Sequence, residues 1–203
     1  MMEHRIRLLA TEGKKIYLDI EGEEGIYLYP GEIKKCGLKD GMLLSLEEIE
    51  RLRSTFAVPR AKKRALGILV RQDQTAGEII TKLKKSGNDS RSIQAAMDFL
   101  VESGYVDDLA YARDYLHSRR KRKSFRMIRQ ELMGKGISSD IIDLVFEEEG
   151  EQKREDLEEQ VTRYARRFHQ RDRASMDKVY AHFHRKGYDT GLVRDILREI
   201  WQD

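Results

Sequence analysis

The 203-residue chain has a single cysteine, Cys36, and that scarcity removes two kinds of architecture at once. No internal disulfide can form and no thiolate cluster exists to hold a metal, so the thiol is read as buried or incidental. No apolar stretch approaches the roughly 20 residues that span a bilayer. The opening MMEHRIRLLATEGKK lacks a secretory hydrophobic region, and a cytoplasmic protein is expected. The GxxxxGK(S/T) phosphate loop, the GxGxxG turn and the GxSxG elbow are all missing, as are low-complexity segments and Gly/Ser linkers. A large net charge is missing as well. Charged residues make up 37% of the chain and mean hydropathy is −0.68, yet the net charge is only +3. The chain therefore has no global basic field, and its charge acts through its local distribution.

What the chain does have is a repeat of about 50 residues. Aligned on Gly87, Gly136 and Gly187, it shows the same apolar ladder three times: Ile79 and Leu83, Ile128 and Leu132, Val179 and Phe183 before the glycine, then Ile93 and Met97, Ile142 and Phe146, Val193 and Leu197 after it. Spacings of four on both sides describe two amphipathic helices broken by a glycine that adopts a positive φ. A further helix precedes each pair, marked by Ala65, Leu66 and Leu69, by Tyr111, Ala112 and Tyr115, and by Val161, Ala165 and Phe168. One such unit cannot bury its apolar face alone, so neighbouring copies should stack.

The first 45 or so residues read differently. HRIRLLA, KKIYLDI and GIYLYP are short runs rich in Ile, Leu and Tyr separated by turn residues, which suits a small antiparallel sheet packed on the helix that follows. Pro30-Gly31 and Lys39-Asp40-Gly41 continue the turn chemistry. Ser45 with Glu48 and Thr75 with Glu78 have capping-box spacing, Asp89 or Ser90 caps a later helix, and Pro59 is expected to break or kink the path. The organisation expected is a β-rich segment plus helix over 1–58, then three-helix repeats over 59–108, 109–150 and 151–203. The fold class expected is mainly α, a quasi-linear array of tandem three-helix repeats behind a small β-rich segment.

The second repeat carries the basic run Arg119, Arg120, Lys121, Arg122, Lys123, followed by Arg126 and Arg129, with no acid among them. Arg119, Arg122, Arg126 and Arg129 would lie along one face if the helix were continuous. Cations at the end of one helix offset its dipole and Ser124 would cap the next, but those roles explain one or two charges and not seven. A polyanion contact is the stronger reading. If about six of these cations meet phosphates, the log-log salt slope on single strands is about −4. Arg and Lys dominate and no Asn/Gln pair accompanies them, which favours phosphate contact over base reading. Phe125 is read as core, with stacking on a base as the alternative.

Other constellations are bland. Asp107 and Asp108 are adjacent on a helix, do not converge, and favour a helix N-terminus instead of paired-carboxylate catalysis. His182 and His184 are two apart and share no helical face for a metal. Tyr111 and Tyr115 are read as packing between repeats. No catalytic residue, metal or cofactor is indicated, and the chain is read as non-enzymatic.

GYVDDLAYARDY, from Gly104 to Tyr115, resembles the G-Y/F-hydrophobic-D-D-x-x-Y/F-A signature of the RecX family, the bacterial regulators of the RecA recombinase. SRRKRKSFRMIRQELMGKGI, from Ser118 to Ile137, is similar to that family's S-R…I-x-x-E-L-x-x-K-G-I segment. With weaker matches from Ala65 to Leu83 and in RKGYDTGLVRDIL, the resemblance covers about residues 61–200. It departs at Ser124-Phe125, where the family commonly has Gly-Pro, and it leaves the N-terminal 55 to 60 residues outside the shared region. The motif residues Gly104, Tyr105, Asp107, Asp108, Tyr111, Ala112, Ile128, Glu131, Leu132, Lys135 and Gly136 are expected to be structural.

The resemblance implies an elongated, curved all-helical array of three-helix repeats that lies in the groove of the RecA–single-stranded-DNA filament, limits its growth, and suppresses ATP hydrolysis and strand exchange, within DNA repair, recombination and the SOS response; a monomer is expected. It implies contact with single-stranded DNA, and with duplex DNA as a further option, without sequence specificity. Arg119 to Arg129 are the local candidates for DNA or filament contact. The runners-up are a stand-alone DNA-binding protein of helix-turn-helix-like units and a pure protein-interaction solenoid.

Overall fold

A computed structural model describes residues 3–11, 13–150 and 154–202. The chain divides into two compact units, the first ending at Asp107 and the second beginning at Asp108.

The first unit opens with β1 (Glu3–Ala10), β2 (Ile16–Ile20) and β3 (Glu23–Leu28), then α1 (Pro30–Cys36) and β4 (Leu43–Ser45). The four strands form one antiparallel sheet in the order β3-β2-β1-β4. Register places Ile6 opposite Ile20 and Leu18 opposite Ile26, so one face is apolar and packs with Ile33, Leu38, Ile49 and Leu52. The three sequence-predicted strands are present, whereas α1 and β4 correct a reading that saw only turns there. Pro30 starts a helix as readily as a turn, because its fixed φ suits the first helical position. The Glu32 carboxylate accepts from the Tyr29 backbone N–H at 2.8 Å, and Gly37 ends the helix at φ 65°. Cys36 is exposed at that end.

From Ser45 the backbone runs through α2 (Leu46–Leu52), a π-helical turn (Arg53–Ala57) and α3 (Val58–Leu69) without leaving the helical region. Pro59 was expected to break or kink this path, and the helical backbone continues through it, with a π turn just before it. It occupies the first turn of α3, where the missing N–H costs nothing, and the π turn before it lets the Val58 N–H reach back to the Arg53 carbonyl. That turn buries the Arg53 side chain at 1% exposure. Its guanidinium pairs with Asp89 at 2.9 Å, donates to the Glu24 carbonyl at 2.8 Å and pairs with Glu50. Arg91 meets Glu23 at 2.9 Å and also Glu50, and the Glu24 carboxylate accepts from the Ser90 N–H at 2.9 Å. The sheet is thereby tied to the first helical repeat by a polar network in which both guanidinium groups meet carboxylates and the Glu24 carboxylate is held by Ser90.

The first repeat is completed by α4 (Ala76–Lys85) and α5 (Ser90–Glu102), with a core of Ala61, Ala65, Ile79, Leu83, Ile93, Ala96, Met97 and Leu100. In the second unit, α6 (Asp108–Arg119), α7 (Phe125–Gly134) and α8 (Ser139–Glu149) enclose Ala112, Leu116, Ile128, Leu132, Ile142 and Val145. Next, α9 (Arg154–Ala165), α10 (Arg173–Arg185) and α11 (Thr190–Gln202) enclose Val161, Ala165, Val179, Phe183, Val193 and Leu197. Every ladder position is buried except Phe146, which is partly so.

The three glycines do the same work. Gly87, Gly136 and Gly187 have φ of 77°, 81° and 77°, and the N–H after each donates to the carbonyl of Leu83, Leu132 or Phe183, the Schellman closure. Two residues beyond each glycine, Asp89, Ser138 and Asp189 accept from the backbone N–H three residues on and cap the following helix. The expected capping boxes at Ser45–Glu48 and Thr75–Glu78 are both formed.

Candidate nucleic-acid interface

The basic run straddles a helix junction. Helix α6 ends at Arg119, the Arg122 and Lys123 N–H groups fold back onto the Arg119 carbonyl, and Ser124 caps α7 by accepting from the Met127 N–H at 3.2 Å. The helix is therefore not continuous. Arg119 belongs to α6, Arg122 to the turn, and Arg126 and Arg129 to α7, so the single-face arrangement does not apply.

Folding also neutralises part of the run. Arg120 pairs with Glu149, Lys123 with Glu131 and Arg129 with Asp143. The remaining four behave differently: Arg119, Lys121, Arg122 and Arg126 are exposed and form no ion pair among the described residues. The Arg119 guanidinium lies 5.4 Å from the centroid of Tyr115, which steadies it without discharging it. What this junction presents to solvent is four cations, and with four phosphate contacts the single-strand salt slope becomes about −3.

Beneath them is a fixed polar framework. The Tyr115 hydroxyl donates to Glu131 at 3.0 Å, and Lys135 lies 5.4 and 5.8 Å from the centroids of Tyr111 and Tyr115. Burial works against ionisation of Glu131. Hydrogen bonds from Lys123 and Tyr115 and the charges of Lys123 and Arg119 outweigh it and hold the carboxyl below the usual range. Burial and then the Glu131 contact push the Tyr115 phenol up. Tyr111 and Tyr115, with ring centroids 6.1 Å apart, are partly buried against the core of their own repeat. Phe125 is in the same core, edge-on to Phe146 at 5.2 Å.

The other motif residues occupy joints and cores. Gly104 has φ 69° and the Tyr105 N–H closes α5 on the Leu100 carbonyl. The Tyr105 ring is exposed and 6.2 Å from Phe99. Asp107 precedes α6 and Asp108 is in its first turn. Ala112, Ile128 and Leu132 are fully buried, and Gly136 ends the α7 segment.

A second electropositive surface lies in the first unit. An open cleft of about 860 Å³ runs beside α3 and α4, lined by Arg60, Lys63, Arg64, Arg71, Lys82 and Lys85, with Gly67 leaving room at its floor and no carboxylate on its wall. Arg60 is held by Glu32 at 2.7 Å and donates to the Tyr27 carbonyl at 2.7 Å. Sequence reasoning passed over these residues because they form no consecutive run. Their signal is the helical spacing of 60, 63, 64, 67 and 71, which puts four cations and a glycine on one stripe. Among the described residues no helix is long and apolar enough to cross a membrane.

The family description "RecX, first three-helix domain" matches residues 61–100, and "RecX, second three-helix domain" matches residues 107–145. A regulatory protein RecX of Clostridium botulinum Eklund 17B is 28% identical over 174 residues, covering 82% of this chain and 81% of the relative. That of Clostridium acetobutylicum is 24% identical over 219 residues, covering 100% and 99%. A crystal structure of a regulatory protein RecX superposes with a TM-score of 0.61 at 23% identity, over 95% of this chain and 98% of the other. The likeness of fold thus reaches into the N-terminal segment, which the sequence motifs alone had left outside. With two of its repeats matching the family's own three-helix domains and its relatives aligning along most of its length, the chain belongs to the RecX family of regulatory proteins.

Proposed function

We propose that the protein is a non-enzymatic, cytoplasmic regulator that binds the RecA–single-stranded-DNA filament as a monomer and restrains its growth, ATP hydrolysis and strand exchange. The observation that carries this reading is the junction of α6 and α7, where Arg119, Lys121, Arg122 and Arg126 remain exposed without acidic partners in a chain whose net charge is only +3. Four cations of this kind suit phosphates and not base edges, so the strand is gripped without sequence preference. The repeats divide as 59–108, 109–150 and 151–203 behind an N-terminal module of 1–58, and RecA recognition is shared between repeat surfaces and DNA contact.

Binding of a fluorescent oligo-dT to the full chain at graded salt tests the DNA part. The expected single-strand slope is about −3, and charge reversal at Arg119, Arg122 and Arg126 should flatten it and weaken filament inhibition with helical content unchanged. Salt-insensitive binding, or inhibition untouched by the triple reversal, would move the working surface elsewhere.

A further inference from the structure

In the third repeat, a cleft of about 220 Å³ opens between α9 and α10, and Arg163, Arg167, His182 and Lys186 line it without any carboxylate. Arg163, Arg167 and Lys186 form no ion pair among the described residues. The polar floor is already used: Gln160 donates to the Tyr188 hydroxyl at 2.9 Å and to the Asp156 carbonyl at 3.0 Å. His182 lies flat on Tyr164, with ring centroids 3.9 Å apart, and the Arg167 guanidinium is 5.1 Å from the same Tyr164 ring. Burial, followed by the charges of Arg163 and Arg167, holds the Lys186 ammonium below its usual pKa. Burial and then Lys186, Arg185 and Arg167 do the same to His182. Glu158 and Glu159 share a separate cleft with Arg163, but neither lines this one; positive charge gathered here with no carboxylate on the wall is unfavourable in the free protein, and an anion relieves it.

This cleft borders the α6–α7 junction. The Ser124 hydroxyl, which caps α7, also donates to the Lys186 carbonyl at 2.6 Å. A Cβ placed on Gly187 would stand 3.8 Å from Arg126 Cβ. Lys186 and Arg126 are therefore on either side of one packed joint. A base has no open ring to stack on, since Tyr164 is covered by His182 and Arg167, so the fitting ligand is a compact anion.

We propose that Arg163, Arg167 and Lys186 form a phosphate-binding cleft that takes a backbone phosphate of a nucleic-acid strand running past Arg126, so that the second and third repeats hold the same strand. This rests on the reading of the α6–α7 junction as a phosphate contact. The test uses the full chain and oligo-dT. Arg163→Gln with Arg167→Gln should weaken binding several-fold and lower the magnitude of the salt slope by about 0.7, the share of one phosphate on a single strand. In the unsubstituted chain, the His182 ring resonances should shift on adding oligo-dT, and its NMR-measured pKa should rise, because bound anion and ring proton favour each other. If the double variant binds as the parent does and His182 does not respond, while charge reversal at Arg119, Arg122 and Arg126 still weakens binding, the cleft is refuted and the junction stands. If neither set of substitutions weakens binding, both are refuted.

Discussion

Gly187 meets two constraints at once. Its φ of 77° lies where a side chain is strained, and an added Cβ would come within 2.8 Å of Ser124 Oγ, the atom that caps α7 and bonds Lys186. Gly104 has a similar φ of 69°, but nothing lies within 4 Å of its missing Cβ. Gly104→Ala should therefore cost about 1–2 kcal/mol from backbone strain alone. Gly187→Ala adds a clash worth about 1–3 kcal/mol and should lose more in urea unfolding of the full chain. Equal losses would mean that the joint yields freely. His182 gives a pH signature. Burial and the neighbouring cations hold its folded pKa below the ordinary histidine value of 6.5, so the unfolded chain binds the proton more readily. The stability it contributes is present above pH 6.5 and is lost as pH falls from there through the folded pKa. His182→Gln should flatten the urea midpoint over that window, and an unchanged slope would assign it to other groups.

Among the helices and their junctions, the same composition gives opposite outcomes for neighbouring charges. Asp89 both caps α5 and neutralises Arg53 in the π turn, each side chain being nearly inaccessible at 3% and 1%. Asp89→Asn keeps a good cap but leaves a buried guanidinium short of its counter-charge, so a loss of about 3–5 kcal/mol is expected, against about 1 kcal/mol for removing the Thr75 cap in Thr75→Ala. Comparable losses by thermal or urea unfolding would contradict the role assigned to the pair. In the basic run, Arg120→Ala, Lys123→Ala and Arg129→Ala should change oligo-dT affinity much less than Arg119→Ala, Lys121→Ala, Arg122→Ala and Arg126→Ala, since the first three already hold carboxylates. That division was not legible in the sequence. Glu149 and Asp143 lie on α8, 29 and 14 residues from Arg120 and Arg129, and the packing of that helix brings them there; Glu131 lies on α7 and meets Lys123 across the turn that opens it. Caps and glycine closures were legible because they depend on residues within one turn. The α1 helix was not, because Pro30-Gly31 suits a turn and a helix start equally well.

Across the chain, the repeat was the most legible property, since Ile79, Ile128 and Val179 and their companions must all be apolar for three cores to form. The electropositive clefts at Arg60 to Lys85 and at Arg163 to Lys186 were hidden, because each takes its charges from separate helices at helical spacing instead of from one run. The N-terminal sheet emerges as a module locked to the first repeat through Arg53, Glu24 and Arg91. What these surfaces share is positive charge on a scaffold of the RecX family, and we propose that this charge serves control of RecA. The most direct test is RecA's single-stranded-DNA-dependent ATP hydrolysis, measured with increasing amounts of the full chain. Inhibition at amounts below one chain per RecA is predicted, whereas ATP hydrolysis undiminished at saturating chain would contradict the account.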